Sequence, residues 1–193
     1  MLPRRKVEVA RSLVRGLTLA TALAAAVGGA SASARSSHGC PGANTPVGKA
    51  SRQTTKDAVV CLINEERRSR GLPSLRESSP LDHSAQAWTD TMVASGSFSH
   101  GSNFGGRISA AGFAWKAAGE NIATGFATPH SVVNAWMHSA PHCQNILNPT
   151  YTNVGTGVLR VAGHGATWTQ DFALAAKRRP ASGNWGPANR CPY

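Results

Sequence analysis

The sequence predicts an α+β domain, an α/β/α sandwich around a central, mainly antiparallel sheet. Three observations carry this. Three segments have helix caps or apolar stripes at helical spacing. Two short segments rich in Val, Thr, Trp and Phe lie next to each other near the C-terminus, separated by Gly163-His164-Gly165. Helical and extended segments alternate, yet these neighbouring strands form a hairpin rather than a crossover, which favours antiparallel pairing over a parallel sheet.

The first helix is expected over 55–70. Val59, Leu62 and Ile63 supply its apolar stripe, with Cys61 beside them. Its charges from Glu65 to Arg70 face water, and Gly71 and Pro73 stop it. The second helix starts with Ser79 as N-cap, Pro80 at the first position and Asp82 closing a capping box. Leu81, Ala85, Trp88 and Met92 fall on one face, and Gly96 ends the helix. Residues 107–112 predict a short helix with Ile108 inward, and 120–123 an extended segment. The third long helix opens on Thr128-Pro129, buries Val132, Val133, Trp136 and Met137, and is expected to end at Pro141. Strands follow over 154–162 and 167–174. Gly155 and Gly157 leave one face of the first strand bare, so another backbone or a ligand can approach it.

The 193 residues allow one domain. Residues 1–34 read as a secretory signal peptide: a basic start (Arg4, Arg5, Lys6, Arg11, Arg15), an apolar run from Leu17 to Val27, and the A-x-A site Ala32-Ser33-Ala34. Residues 35–54 form an extended N-terminal segment, 55–174 the folded domain, and 175–193 a basic C-terminal tail. The expectation is a secreted, extracellular protein with no membrane span after cleavage, and a monomer. Cys40, Cys61, Cys143 and Cys191 make an even count in an exported chain, so two disulfides are expected. Three pairings are open. Cys40 with Cys61 and Cys143 with Cys191 are preferred, because each pair anchors a loose terminal segment to the domain.

The whole sequence carries a formal charge of +11, and removing 1–34 leaves +7. Such a domain is drawn to anionic envelope surfaces. The charges cluster only at Arg67-Arg68-Ser69-Arg70 and Lys177-Arg178-Arg179, with few aromatics between, so no specific nucleic-acid site is readable.

Three polar residues just past element ends form the candidate site: His100, Glu120 and His142. Two neutral imidazoles and a carboxylate suit Zn²⁺ or another divalent cation, and a His/Glu set can also move protons near neutral pH. They are therefore both the candidate metal ligands and the candidate catalytic residues. Ser99 or Ser139 beside these histidines would make a Ser/His pair. His138 and His142 are four apart, but Pro141 intervenes and no Glu follows His138, so a zincin helix is excluded. No G-x-S-x-G elbow occurs. Trp88, Trp136 and Trp168 read as core, and Trp115 beside Phe113 as a cleft-rim aromatic.

An ordered series of short motifs then becomes recognisable over about 55–174. It contains Asn64-Glu65-Glu66-Arg67 with Gly71-Leu72, Phe98-Ser99-His100, Arg107-Ile108 with Ala111-Gly112-Phe113, Gly119-Glu120-Asn121-Ile122-Ala123 and Trp136-Met137-His138-Ser139. Pro141-His142, Asn145-Ile146-Leu147-Asn148-Pro149 and Trp168-Thr169-Gln170-Asp171-Phe172 complete it. The series resembles the cysteine-rich secretory, antigen 5 and pathogenesis-related 1 superfamily, in its bacterial single-domain branch. The resemblance implies a three-layer sandwich with a surface cleft holding two His and two acids, and a divalent metal in some members. The histidines map to His100 and His142 and one acid to Glu120. The second acid's place is taken by Ser139. Lipid or sterol binding is implied, with an anionic envelope ligand the further expectation from charge. The competing implication is a metal-dependent, peptidase-like hydrolase at the same cleft.

Overall fold

The computed structural model describes residues 39–180, 182–183 and 191–192. The expected signal peptide and about half of the expected tail (181, 184–190 and 193) lie outside the described residues. Helix α1 spans Arg52–Arg68, followed by strand β1 Arg76–Glu77 and helix α2 Ser79–Ser95. Helix α3 Phe104–Ala110 leads into β2 Trp115–Thr124. Helices α4 Pro129–Met137 and α5 Ala140–Ile146 precede the hairpin of β3 Asn153–Val161 and β4 Gly165–Ala175. The sheet order is β1-β3-β4-β2. Only the β1–β3 pair is parallel.

Side chains on alternate residues of the strands go to opposite helical layers. Val154, Val158, Ala166, Trp168 and Phe172 join the main core with Val59 and Ile63 of α1, Val132 and Trp136 of α4, and Ile146 of α5. Ala173 turns the other way, to Leu81 of α2 and Ile108 of α3. The result is the expected three-layer sandwich. β2 is an edge strand, so its two faces meet at an open border of the sheet.

The bare face of β3 admits α2. A Cβ at Gly155 would fall on the backbone of Leu81 and Asp82, and one at Gly157 on the carbonyl of Ala85. These glycines serve helix–sheet packing and not, as a ligand reading would have it, the floor of the polar cleft. The contact also redirects the start of α2. Ser78 is the N-cap, Pro80 lies one position further in, and no side-chain cap bond forms. Asp82 does not close a capping box. It accepts from the Thr156 amide at 2.7 Å and pairs with Lys56 at 2.7 Å, because the packed sheet offers a buried donor nearby.

Three further sequence expectations change. Helix α1 starts at Arg52, where Ser51 caps it, and the segment before it is turn-rich rather than extended. Arg67 does not face water. It is fully buried and donates to the carbonyls of Pro73, Ile146 and Asn148 at 2.7–2.9 Å, tying α1 to the end of α5. Pro141 does not end the third helix. That helix stops at Met137, and Pro141 sits in the first turn of α5, where a missing N–H costs nothing. The disulfides are the preferred pairs, Cys40–Cys61 and Cys143–Cys191.

Candidate functional site

Glu120 lies in the middle of β2, directly across from Asp171 of β4. Its side chain is turned to the α2/α3 layer and is 1% exposed. A buried carboxylate needs compensation, and a guanidinium and an imidazole supply hydrogen bonds to it. Arg107 of α3 pairs with Oε2, and His100 in the α2–α3 loop holds Oε1 through Nδ1 at 2.8 Å. Arg107 also donates to the His100 carbonyl at 3.1 Å and lies 3.9 Å above the Trp88 ring. Trp88 in turn donates its indole N–H to the Ser99 carbonyl at 3.0 Å. The loop that carries His100 is thus clamped from α2, α3 and β2.

The next residue of β2 organises the opposite layer. The Asn121 amide donates to the backbone carbonyl of His142 at 3.2 Å. Asn145 donates to the Glu120 carbonyl and to the Asn121 side chain. Gly119 is required here for space: a Cβ would stand 2.5 Å from the Tyr151 hydroxyl and 2.8 Å from Asn145 Oδ1. His142, in α5 and not in a loop, is half-buried, and its Nδ1 meets the Ser139 hydroxyl at 2.8 Å. Burial, and then the neighbouring His100, hold the His142 pKa below the usual histidine range, which keeps this imidazole neutral at pH 7. Consecutive residues of an edge strand therefore position the two histidines from opposite layers, close enough for one to feel the charge of the other.

The structure unites His100 with Glu120 but assigns Glu120 a supporting part. Both its oxygens are engaged, and among the described residues no three ligand atoms from His100, Glu120 and His142 lie within 4.8 Å of one another. Nδ1 of each imidazole is engaged, so a cation would be held through the Nε2 atoms. Each ring is oriented through Nδ1, by Glu120 for His100 and by Ser139 for His142, as outer hydrogen-bond partners orient metal-binding histidines. A separate cluster of Cys40, Cys61 and Glu65 has its sulfurs committed to a disulfide. Of the two serines weighed, Ser139 contacts a histidine. Ser99 instead accepts from the Gly101 amide. His138 bonds the Asn134 carbonyl and stays exposed, away from the pair.

Sequence reasoning missed Arg107, Asp171 and the part played by Trp88. Asp171 is 1% exposed. Burial pushes its pKa up to about 8, opposed by the Ser84 hydroxyl and reinforced by Glu120. Asp171 faces Glu120 from the neighbouring strand but is closed to solvent. An acid inside the apolar strand 167–174 was the available signal. Trp88 is half-buried, not core. It lines a cavity of about 420 Å³ between α2 and α3 with Ser84, Ala87, Arg107, Ala110 and Ala111. Trp115 packs on the small core with Leu81 and Ile108 and donates to Ser109, so Trp88 is the aromatic that borders the site.

The chain is 42% identical over 118 residues to the uncharacterized protein YkwD of Bacillus subtilis, covering 59% of this chain and 45% of that one. A second relative in the same organism, the uncharacterized membrane protein YlbC, is 30% identical over 123 residues, covering 62% and 34%. This chain thus spans less than half the length of the curated relatives it matches. Among solved structures, an extracellular SCP-domain protein of Bacillus anthracis superposes with a TM-score of 0.56 at 24% identity, covering 64% of this chain and 44% of that one. An outer surface protein of Borrelia burgdorferi gives 0.57 at 21%, covering 61% and 90%. These likenesses bear on the fold. The family model described as the cysteine-rich secretory protein family matches residues 60–172, the span that contains the clamp on Glu120, both histidines and the sheet up to Phe172 of β4. With the three-layer fold in place, that match decides the matter: the chain belongs to the cysteine-rich secretory protein (CAP) family.

Proposed function

We propose that this protein is a secreted binding module whose cleft takes an amphipathic, lipid-like or cell-envelope ligand. One observation carries the reading. Arg107 stands between a polar end, where it holds Glu120 and the His100 loop, and the apolar cavity walled by Trp88, Ala87, Ala110 and Ala111. A concavity of this volume, mostly apolar with a few convergent polar groups, is the usual form of a small-molecule site. His100 and His142 give the polar end two imidazoles that can accept a ligand's hydrogen bond or hold a divalent cation such as Zn²⁺. When bound, a cation would supply Lewis acidity there. The extracellular setting of the Bacillus anthracis relative and the disulfides support export. No helix among the described residues is long and apolar enough to cross a membrane.

Titration with a fluorescent long-chain fatty acid tests the reading. Saturable binding that Trp88→Ala weakens by about tenfold or more is expected, since loss of a buried aromatic anchor costs that much. Absence of saturable binding sinks it. A second reading, a metal-dependent hydrolase at the same cleft, is favoured by the 2.8 Å contact through which Ser139 holds His142 Nδ1 and leaves Nε2 for a metal. Its signature would be zinc-dependent turnover of a peptide substrate that a chelator and His142→Ala both abolish.

A further inference from the structure

The two basic clusters visible in the sequence have opposite fates in the fold. In the first, Arg67 is buried on backbone carbonyls and Arg70 pairs with Glu66. The second grows. β2 and β4 run side by side to the pairs Trp115–Ala175 and Ala114–Ala176, and the chain then turns through Arg178. Lys116, beside the irregularity at the start of β2, brings its amine to within 3.4 Å of the Arg178 carbonyl. Lys116, Lys177, Arg178 and Arg179 are all exposed, and among the described residues no ion pair links any of them to an acid.

The rest of the surface accentuates this patch. Residues 39–90 carry seven basic and six acidic side chains and are nearly balanced. Residues 91–180 carry six basic side chains and two acids. Those two acids, Glu120 and Asp171, are 6% and 1% exposed and lie inside the fold. Beyond Asp90 in the chain, therefore, no described acid is exposed.

We infer that Lys116, Lys177, Arg178 and Arg179 form a docking patch for a linear polyanion, a chain of closely spaced phosphate or carboxylate groups. Arginine forks and lysine ammoniums match such groups, and an uncompensated positive field raises the local concentration of a multivalent anion. The geometry favours a soluble polymer over a bilayer. Apolar side chains beside the cations strengthen a bilayer site, and the exposed large apolar residue among the described ones is Phe98, 51% exposed. Phe98 lines a groove with Thr124 and Gly125, at the far end of β2 from Lys116. Eight residues of extended strand separate those ends by roughly 26 Å. The patch uses none of the cleft side chains, so it stands or falls independently of the ligand reading above.

Fluorescence anisotropy with an end-labelled linear polyphosphate tests the inference. The combined variant Lys116→Gln, Lys177→Gln, Arg178→Gln, Arg179→Gln is expected to bind at least about tenfold more weakly at low salt and to show a shallower salt dependence. The control Arg68→Gln, Arg76→Gln removes two exposed cations from the balanced half and is expected to change affinity less than about threefold. The variant lacking only the three cations at 177–179 should fall between, with thermal unfolding unchanged in all three proteins. Equal losses in patch and control variants, or no loss in either, would overturn the assignment. So would anionic phosphatidylglycerol vesicles that bind through the same residues as tightly per phosphate as the polymer does.

Discussion

Asp171 shows how strongly one side chain depends on what the fold places around it. Its carboxyl sits inside the sheet against Glu120 and Ser84, and burial raises its pKa to about 8. The folded protein then holds a proton that the unfolded chain, with an ordinary carboxyl near pH 4, releases. The stability contributed by this group is complete below about pH 4 and is lost as the pH rises through about 8. Asp171→Asn removes that loss. Its melting temperature relative to the parent should rise between pH 4 and pH 9 by at least about 3 °C, the equivalent of roughly 1 kcal/mol in a domain of this size. Calorimetry across that range checks this, and parallel curves for the two proteins would show that Asp171 ionises normally. His142 has the opposite sign. Its depressed pKa contributes stability above the ordinary histidine range that is lost on acidification.

At the scale of elements, the seam between α2 and β3 is set by two missing side chains. The backbone of α2 runs over Gly155 and Gly157 so closely that Cβ atoms there would occupy helix backbone. Asp82 uses the approach to cap the Thr156 amide and to hold Lys56 of α1. Backbone cannot step aside as a flexible side chain can, so Gly155→Ala must separate helix from sheet. A loss of about 3 kcal/mol is expected in urea unfolding, at the upper end of overpacking costs. A loss below roughly 1 kcal/mol would mean the seam is looser than described. The displaced element carries Ser84 and Trp88, so the cavity wall would move with it.

At the scale of the molecule, the N-terminal segment is held to the domain by a covalent tie and by backbone bonds. The Val47 amide donates to Ala127 and the His130 amide to Ala43, which docks the segment against the start of α4. Cys40–Cys61 closes a separation of 21 residues. Chain entropy assigns such a closure about 3 kcal/mol. Replacing both cysteines by serine should lower the melting temperature by roughly 6–12 °C on that basis. It should also expose the 39–50 segment to proteolysis before the sheet unfolds. Simultaneous loss of both would instead show that the segment and the core form one cooperative unit.

The sequence by itself determined the architecture and the family likeness, and among three open pairings it favoured the two disulfides that form. These follow from local signals: apolar period, caps, Gly-rich turns, and motifs in a fixed order. It did not disclose what surrounds a charge. Arg67 stood among four polar neighbours and reads as solvated, yet the carbonyl of Pro73 and two from the distant end of α5 enclose it. Glu120 reads as a ligand, yet Arg107 and His100 engage both its oxygens. Pro141 reads as a helix stop, and its position in the first turn of α5 makes it a start. Only the tertiary structure decided these, and also joined Lys116 to residues 177–179. The physical reason is common to all of them. Electrostatic compensation and backbone satisfaction act through space at about 3 Å, between groups that sequence order separates by up to 81 positions.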